Sequence, residues 1–572
     1  MKTYAPPVYP YRKPAELAGS PRRWPVIVVG AGPVGLVAAI DFAQRGVDVL
    51  LLDEDDTVSA GSRAICWSKR TLEILDRLGC GERLVEKGVG WNVGRVYFGD
   101  EQVFQFDLLP ESGHRRPAFI NLQQYYVEQF LVERAEALGV ELRWRHRVVD
   151  VEPRADRVEA RVSTPDGEYV AHADWLIAAD GARSPIRTLL GLESEGQVFR
   201  DRFLIADVHM HSEFPAERRF WFDPPFHRHQ SALLHRQADH VWRCDFQLGW
   251  EADPEEEKKP ERVLPRVRAM LGDDVEFELE WASVYTFQCR RMRSFRRGRV
   301  LFAGDAAHLV SPFGARGANS GMQDADNLVW KLTLVLRGLA PERLLDSYDA
   351  ERCPAADENI RHSTRSTDFI TPKSAASRTF RDAVLALAKR HPFARRLVNS
   401  GRLSLPAILV DSPLNSPDDE AFESRLVPGA PAIDAPVTGE HGTWLLDYLA
   451  GGFTLLVFDD GSSAGALREL SALATDPIAC ASVFVGGRGT ELPRGGRRIE
   501  DPTGALAERH DAKPGTVYLF RPDQHVCARW RAFDPDRVRA AIARATGQVR
   551  TEALPCLTSN PISPRQTTSI RS

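Results

Sequence analysis

Residues 25–29 form a β-branched, apolar run that leads directly into the hexapeptide Gly30-Ala-Gly-Pro-Val-Gly35. Residues 36–45 carry helical spacing, Gly46 stops it, and residues 47–52 return to strand texture ending at Asp53. In G-x-G-x-x-G the first glycine permits a tight turn, the second lets a pyrophosphate approach the backbone, and the third lets helix pack on strand. The phosphates then lie at the positive helix N-terminus. Asp53, eighteen residues after Gly35, is placed to accept from a ribose hydroxyl. This strand-turn-helix-strand-acid order commits the chain to a doubly wound α/β sheet and assigns dinucleotide binding to Gly30, Gly32, Gly35 and Asp53. The same glycines would also make a tight turn without a ligand, but that reading leaves the acid unexplained.

Composition narrows the function classes. With 74 Lys+Arg against 79 Asp+Glu, a net charge of −5 offers no basic excess for nucleic acid or an anionic membrane. The eight cysteines include no C-x-x-C, so neither a zinc ribbon nor a dithiol centre is expected; no metal site is assigned, and a reducing, cytoplasmic setting fits. Residues 1–24 lack the apolar stretch of a signal peptide and read as an irregular arm. The apolar run 26–43 is broken by glycines and Pro33, charged at Asp41, and short for a membrane span.

Helices are expected over 69–78, 124–138 and 319–336, and buried strands over 175–179 and 299–303. From about 200 to 290 the texture changes to short alternating segments such as FLIADVHM and HVWRCDFQL, which read as an inserted antiparallel sheet. The expected organisation is an arm (1–24), a nucleotide-binding unit in two parts (25–195 and 291–410) around a substrate sheet (196–290), a Pro- and Asp-rich linker (411–430), a small α/β module (431–550) and a tail (551–572).

Two further motifs follow the fingerprint: IAADGARSPIR at 177–187, and RVLFAGDAAHLVSPFGARGANSGMQDADNLVWKL at 299–332. With all three in this order, the first 370 residues or so resemble the FAD-dependent aromatic hydroxylases, single-component flavoprotein monooxygenases of the p-hydroxybenzoate and phenol hydroxylase type. The resemblance implies FAD as cofactor, NAD(P)H and O2 as cosubstrates, and hydroxylation of a phenolic ring through a flavin C4a-hydroperoxide. It places Arg63 near the pyrophosphate, Gln124 at the ribityl chain, Asp180 and Gly181 where FAD and nicotinamide binding meet, and Gly304 and Asp305 at the ribityl chain or neighbouring ribose. Pro312, Gly314, Gly317, Ala318 and Asn319 line the flavin loop. Its small residues free backbone N–H groups, and a helix N-terminus there would stabilise the anionic reduced flavin. His308 reads as structural, with a catalytic base as the other reading; Asp324, Asn327, Trp330 and Lys331 read as helix caps and packing.

The inserted sheet should roof the flavin. By resemblance Tyr285 stands where phenol hydroxylases place a tyrosine that favours the phenolate, and it is assigned as catalytic together with Pro312. Phe246 and Phe287, with Trp242 and Phe220, are candidate substrate walls, while Arg236, Arg243, Arg290 and Arg291 read as solvated unless one meets a substrate carboxylate. The C-terminal module resembles the thioredoxin-like domain of phenol and hydroxyphenylpropionate hydroxylases. Its Cys480 and Cys527 are far apart in sequence and lack the C-x-x-C spacing of a thioredoxin active site, so the module is assigned to packing or dimer support. A single fingerprint argues against two-domain disulfide reductases. The expected partner is a small phenolic substrate, such as a hydroxyphenylpropionate-like acid, in a homodimer without nucleic acid or membrane. Alternatives are the same scaffold acting on a non-phenolic or polyketide substrate, or a flavin scaffold carrying an interaction module.

Overall fold

The computed structural model describes residues 4–19, 21–59, 61, 64–398, 403–449, 451–459, 461, 467–487 and 491–549. At its centre strands Glu141–Arg143, Val49–Leu52, Arg23–Val29, Gly167–Ala178 and Val300–Phe302 lie parallel in that order, with Arg296–Arg297 antiparallel at one edge. Val26, Ile27, Val28, Leu50, Leu51, Leu52, Leu176 and Ile177 are wholly buried. That explains strands without alternation, since both faces of a parallel sheet are covered. Register then decides where the chemistry gathers. Val29 pairs with Ala178 and Ala178 with Phe302, so the residues after each strand, Gly30, Asp180 and Gly304, emerge together at the carboxyl end of the sheet. Open α/β sheets bind ligands at that end.

The second sheet has eight strands, in the order His308–Leu309, Glu278–Met292, Ser194–His209, Val241–Leu248, Ser231–Arg236, Arg218–Phe222, Val93–Phe98, Glu101–Asp107. It reaches beyond the expected 196–290: Val93–Phe98 and Glu101–Asp107 come from the first nucleotide-binding part, and Val93–Phe98 joins in parallel to Arg218–Phe222. His308–Leu309 stitches the GDAAH loop onto the same sheet through Arg291 and Arg290. Alternation gives the sheet two apolar faces. The outer one, with Leu204, Ala206, Leu234, Trp242, Cys244 and Phe246, is covered by helix Pro260–Leu271 through Val263, Val267 and Leu271. The inner one, with Phe203, Phe220, Phe222, Leu233 and Phe287, meets Phe313 of the flavin loop.

The C-terminal module holds a six-stranded mixed sheet, Thr438–Gly439, Arg497–Glu500, Cys480–Val485, Phe453–Phe458, Val517–Phe520, Val526–Trp530. Buried charge docks it on the flavin unit. Arg521 pairs with Glu351 at 2.5 Å and Asp523 at 2.5 Å, and Lys331 reaches Glu351 at 2.6 Å. Arg70 bonds Asp326 at 3.1 Å and the Asp523 carbonyl at 2.7 Å. Buried pairs of this kind are costly to break because one charge is left without its partner. Lys331 and Asn327 therefore hold the module rather than cap their own helix; Asn327 donates to Glu351 at 2.6 Å. Among the described residues no helix is long and apolar enough to cross a membrane.

Candidate active site

Two of the fingerprint glycines are required by the turn itself. Gly30 has φ 103°, and a Cβ there would lie 2.4 Å from the Ala179 carbonyl oxygen; on Gly35 it would lie 1.9 Å from the Gly30 oxygen. Gly32 differs, with open space where its side chain would be. It is also the N-cap of helix Pro33–Gln44, which has no side-chain cap, so the first N–H groups face that open space. This is the cradle a pyrophosphate needs.

Asp53 follows the second strand, half-buried, and accepts from the Ala31 N–H at 2.5 Å and the Asp55 N–H at 2.9 Å. Each carboxylate oxygen retains a second acceptor site for a ribose hydroxyl. Burial pushes its carboxyl up to about 6, against the lowering effect of those two N–H groups. Ribose hydroxyls bind the ionised form, so FAD affinity should rise with pH through this range. Titrating apoprotein with FAD should give a dissociation constant several-fold higher at pH 5 than at pH 7.5, and an Asp53→Asn variant should lose that dependence.

The other two motifs are fused to each other. Asp180 accepts from the Ile186 N–H at 3.0 Å, Ser184 caps the short helix Pro185–Leu189, and Gly181 adopts φ 80° beside open space. Arg187 donates at 2.7 Å to the carbonyl of Ala306 in the GDAAH loop. Within that loop Gly304 has φ 61°, and a Cβ on it or on Gly321 would strike Val34 of the fingerprint helix, so the two helices meet at close range. Asp305 is exposed and lies beside the start of helix Gly317–Leu336: a Cβ on Gly317 would come 3.9 Å from its Oδ1.

This helix begins two residues before the expected Asn319 and has no side-chain cap. Pro312 is exposed ahead of it, Gly314 has φ 101° and Ala315 has φ 53°, and Ala318 is half-buried in its first turn. Asn319, expected to face the cofactor, is committed elsewhere. Its Oδ1 accepts from Ser68 N–H at 2.9 Å and Thr71 Oγ1 at 2.7 Å, and its Nδ2 donates to the carbonyls of Cys66 at 2.9 Å and Ala315 at 2.6 Å. The side chain thus braces strand Cys66–Ser68 against the flavin loop. Gln124 opens helix Gln124–Ala137, accepts from Ala64 N–H at 3.0 Å and donates to Glu128 at 2.7 Å. Arg63 itself lies outside the described residues.

Asp324, read from the sequence as a cap, is a buried hub. Its Oδ2 accepts from Gly304 N–H at 3.0 Å and meets His308 Nε2 at 2.6 Å, and its Oδ1 accepts from Arg352 Nε at 2.7 Å. Burial opposes its charge, but His308 and Arg352 hold its carboxyl below the usual range. His308, 1% exposed and packed on Phe295, is a structural part of this hub rather than a base open to substrate.

On the inner face of the sheet Tyr285 pairs with Phe203 across the register and lies within electrostatic reach of Arg243. Phe203, Phe287 and Phe313 form an aromatic trio with centroids 4.9–5.4 Å apart. Phe287 is 1% exposed, so it joins sheet to flavin loop instead of lining open space. Phe246 and Trp242 require correction as wall residues. Phe246 registers with Leu204 and Ala232, all three facing helix Pro260–Leu271 on the side away from the flavin loop. The arginines read as solvated are not. Arg243 is buried and bidentate to Asp207 at 2.8 and 2.7 Å, Arg291 is bidentate to Asp357 at 2.6 and 2.8 Å, Arg290 donates to the Ser194 carbonyl at 2.8 Å, and Arg236 lies over Trp242. Each meets a partner from a neighbouring strand or helix, a pairing with no local sequence signal. Among the described residues no cluster of His, Cys, Asp and Glu suited to a metal ion is present.

Comparison with known proteins agrees with this geometry. Residues 23–363 match the FAD binding domain family. The chain is 31% identical over 539 residues to a 6-methylpretetramide 4-monooxygenase from Streptomyces rimosus, covering 88% of this chain and 90% of that protein. It is 29% identical over 524 residues to a 3-(3-hydroxy-phenyl)propionate/3-hydroxycinnamic acid hydroxylase from Mycolicibacterium smegmatis, covering 88% and 90%. In fold it matches the flavin-dependent monooxygenase PieE, solved with FAD and substrate, at a TM-score of 0.78 and 24% identity over 93% of this chain and 100% of that one. With the glycine cradle, the half-buried acid after the second strand and the fused motifs at one sheet end, the chain belongs to the FAD-binding aromatic and polyketide hydroxylases, flavin-dependent monooxygenases with a p-hydroxybenzoate hydroxylase-type fold.

Proposed function

We propose that the protein uses NAD(P)H and O2 to hydroxylate a phenolic ring, either a small phenolic acid or a phenolic polyketide. The observation that carries this reading is the inner face of the second sheet, where Phe203, paired with Tyr285, packs on Phe313 of the loop that holds the exposed Pro312 and leads into the uncapped helix Gly317–Leu336. Bound FAD supplies the oxygen activation. The chain's own residues do the rest. The helix N-terminus and the N–H groups of the loop would stabilise negative charge on a flavin held there, and the Phe203–Phe287–Phe313 trio keeps water from that side. Tyr285 holds the phenolic oxygen and favours its deprotonation, which makes the ring a better nucleophile.

The six-stranded sheet supports a thioredoxin-like reading of the C-terminal module, with three parallel strands flanked by antiparallel ones. Its Cys480 and Cys527 are buried, and burial raises both thiols, which supports a packing role. Purified holoenzyme should bleach its flavin with NAD(P)H at least tenfold faster when the correct phenol is present and should yield a hydroxylated product. Equal bleaching with every compound in a panel of phenolic acids and polyketide phenols, and peroxide alone as product, would refute the proposal. Tyr285→Phe should lower the hydroxylation rate by about 10- to 100-fold while leaving FAD content unchanged.

A further inference from the structure

Helix Ala375–Ala388 is apolar on two sides. Val384, Leu385 and Ala388 are buried and join the cluster that contains Phe203, Phe287 and Phe313. Ala376, Phe380, Ala383 and Leu387, spaced three or four residues apart on another side, are exposed. One apolar stripe is enough to pack a helix on its domain, so the second calls for its own reason. The stripe continues past the helix end. His391 donates its backbone N–H to the Leu387 carbonyl at 2.9 Å, its ring lies 5.7 Å from that of Phe393 in the short helix Pro392–Arg395, and Leu397 follows. Phe380, Leu387, Phe393 and Leu397 are 59%, 45%, 53% and 47% exposed. Large apolar side chains scattered singly over a surface need no account; a succession of them does.

The same stretch has one sign of charge. Residues 373–396 hold seven Lys and Arg against a single acid, Asp382, which Arg381 takes. Lys373 pairs with Asp201 and Lys389 with Glu101. Arg378, Arg390, Arg395 and Arg396 are exposed, and among the described residues no carboxylate lies within ion-pair distance of any of them; Arg395 donates instead to the Ala388 carbonyl at 2.9 Å. Beside Leu387 a groove of about 440 Å³ separates this helix from strands Val93–Phe98 and Glu101–Asp107, lined by Phe98, Val103, Leu385, Leu387, Lys389 and Arg390. The whole-chain charge of −5, from which no membrane partner was expected, conceals this local excess.

We infer that this face docks the protein on an anionic lipid surface, with Phe380, Leu387, Phe393 and Leu397 entering the headgroup boundary and Arg378, Arg390, Arg395 and Arg396 meeting the anionic headgroups. Exposed aromatic and leucine side chains interleaved with arginines are what an interfacial helix presents to lipid. Arginine stems lie along apolar surface while their heads stay with the phosphates. Each basic side chain near such a surface adds about fivefold in affinity. A second copy of this chain fits the face less well, because a twofold axis would set the same unpaired arginines against each other. The inner side of the helix packs on the apolar cluster of the substrate sheet, so docking holds that sheet near the phase in which polycyclic phenols dissolve. The inference goes beyond the hydroxylase reading and does not depend on it.

The test is flotation of the full-length holoenzyme with vesicles of phosphatidylcholine, alone or mixed with an equal part of phosphatidylglycerol. Wild type should bind the anionic vesicles at least about tenfold more tightly than the neutral ones, and raised salt should weaken that binding. Arg390→Glu together with Arg396→Glu should remove the preference for anionic lipid. Phe380→Ser together with Phe393→Ser should lower affinity for the anionic vesicles about tenfold and keep the preference. All four side chains are exposed, and neither arginine has an ion pair to lose, so FAD content and melting temperature should match wild type in both double variants. Wild type that binds neither vesicle, binds both equally or is indifferent to salt would overturn the inference, as would unchanged vesicle binding in either double variant. A wild-type dimer in sedimentation velocity that the two serine substitutions convert to monomer, with no vesicle bound, would give the face to a second copy. An acidic protein held by the arginines, again with no vesicle bound, would likewise overturn it. Turnover enters none of these outcomes, so the hydroxylase reading stands or falls separately.

Discussion

Gly32→Val should leave a folded protein that no longer retains FAD. A side chain at Gly32 meets no atom within 4 Å, and its φ of −71° with extended ψ suits any residue, so the protein itself has no reason to resist the change. The space it fills is the approach to the N–H groups at the uncapped start of helix Pro33–Gln44. Losing one or two charge-assisted bonds there corresponds to about 100-fold in FAD affinity, or roughly 2.7 kcal/mol. The neighbouring Gly35→Val should behave in the opposite way. Its Cβ would overlap the Gly30 carbonyl oxygen and press Val28 at 3.3 Å, inside a backbone turn that cannot yield, so the fold itself should lose about 3 kcal/mol or more. FAD titration and apoprotein melting, measured on both variants, separate the two effects. Equal loss of stability in both would mean that the open space at Gly32 is not a ligand cradle.

Asp324→Ala should be the most damaging single change in the second half of the flavin unit. It strands Arg352 and His308 in a buried setting and frees the Gly304 N–H, so the loop that carries Asp305 loses its anchor. Removing one partner from a buried charged network costs about 3–5 kcal/mol. Because Asp324 is held below the usual carboxylate range, its contribution is present at pH values above the unfolded carboxylate pKa and is lost as pH falls through the native value. Denaturant melts should therefore show the deficit of Asp324→Ala at its fullest near pH 7 and reduced in strong acid. An unchanged midpoint at pH 7 would show that the hub does not carry the loop.

What could be read from the chain alone was the chemistry written in contiguous residues. The fingerprint, the D-G-A-R-S segment and the G-D-A-A-H loop each follow a short apolar strand, and the pairing of Val29, Ala178 and Phe302 brings them together without further instruction. Facing was less legible. Phe246 and Phe287 look alike as aromatics on alternating strands, and only the register of Phe246 with Leu204 sends it to the outer layer while Phe287 joins Phe313. Long-range charge pairing was hidden as well. The partner of Arg243 is Asp207, 36 residues away on the adjacent strand, and nothing local distinguishes a buried bidentate arginine from a solvated one. Asn319 shows a third limit: an asparagine inside a cofactor motif serves the motif by bracing Ser68 and Cys66, a role set by tertiary contacts 251 and 253 residues apart.

In the proposed reaction this fold transfers an oxygen atom from O2 to an aromatic ring while consuming NAD(P)H. Turnover of the holoenzyme under 18O2 with the phenol that most accelerates flavin bleaching tests it most directly, with mass spectrometry of the product. One labelled oxygen per product molecule is expected, matched one to one by NAD(P)H oxidised, with no label when 18O is supplied as water. Product that forms equally without O2, or that carries its new oxygen from water, would contradict it.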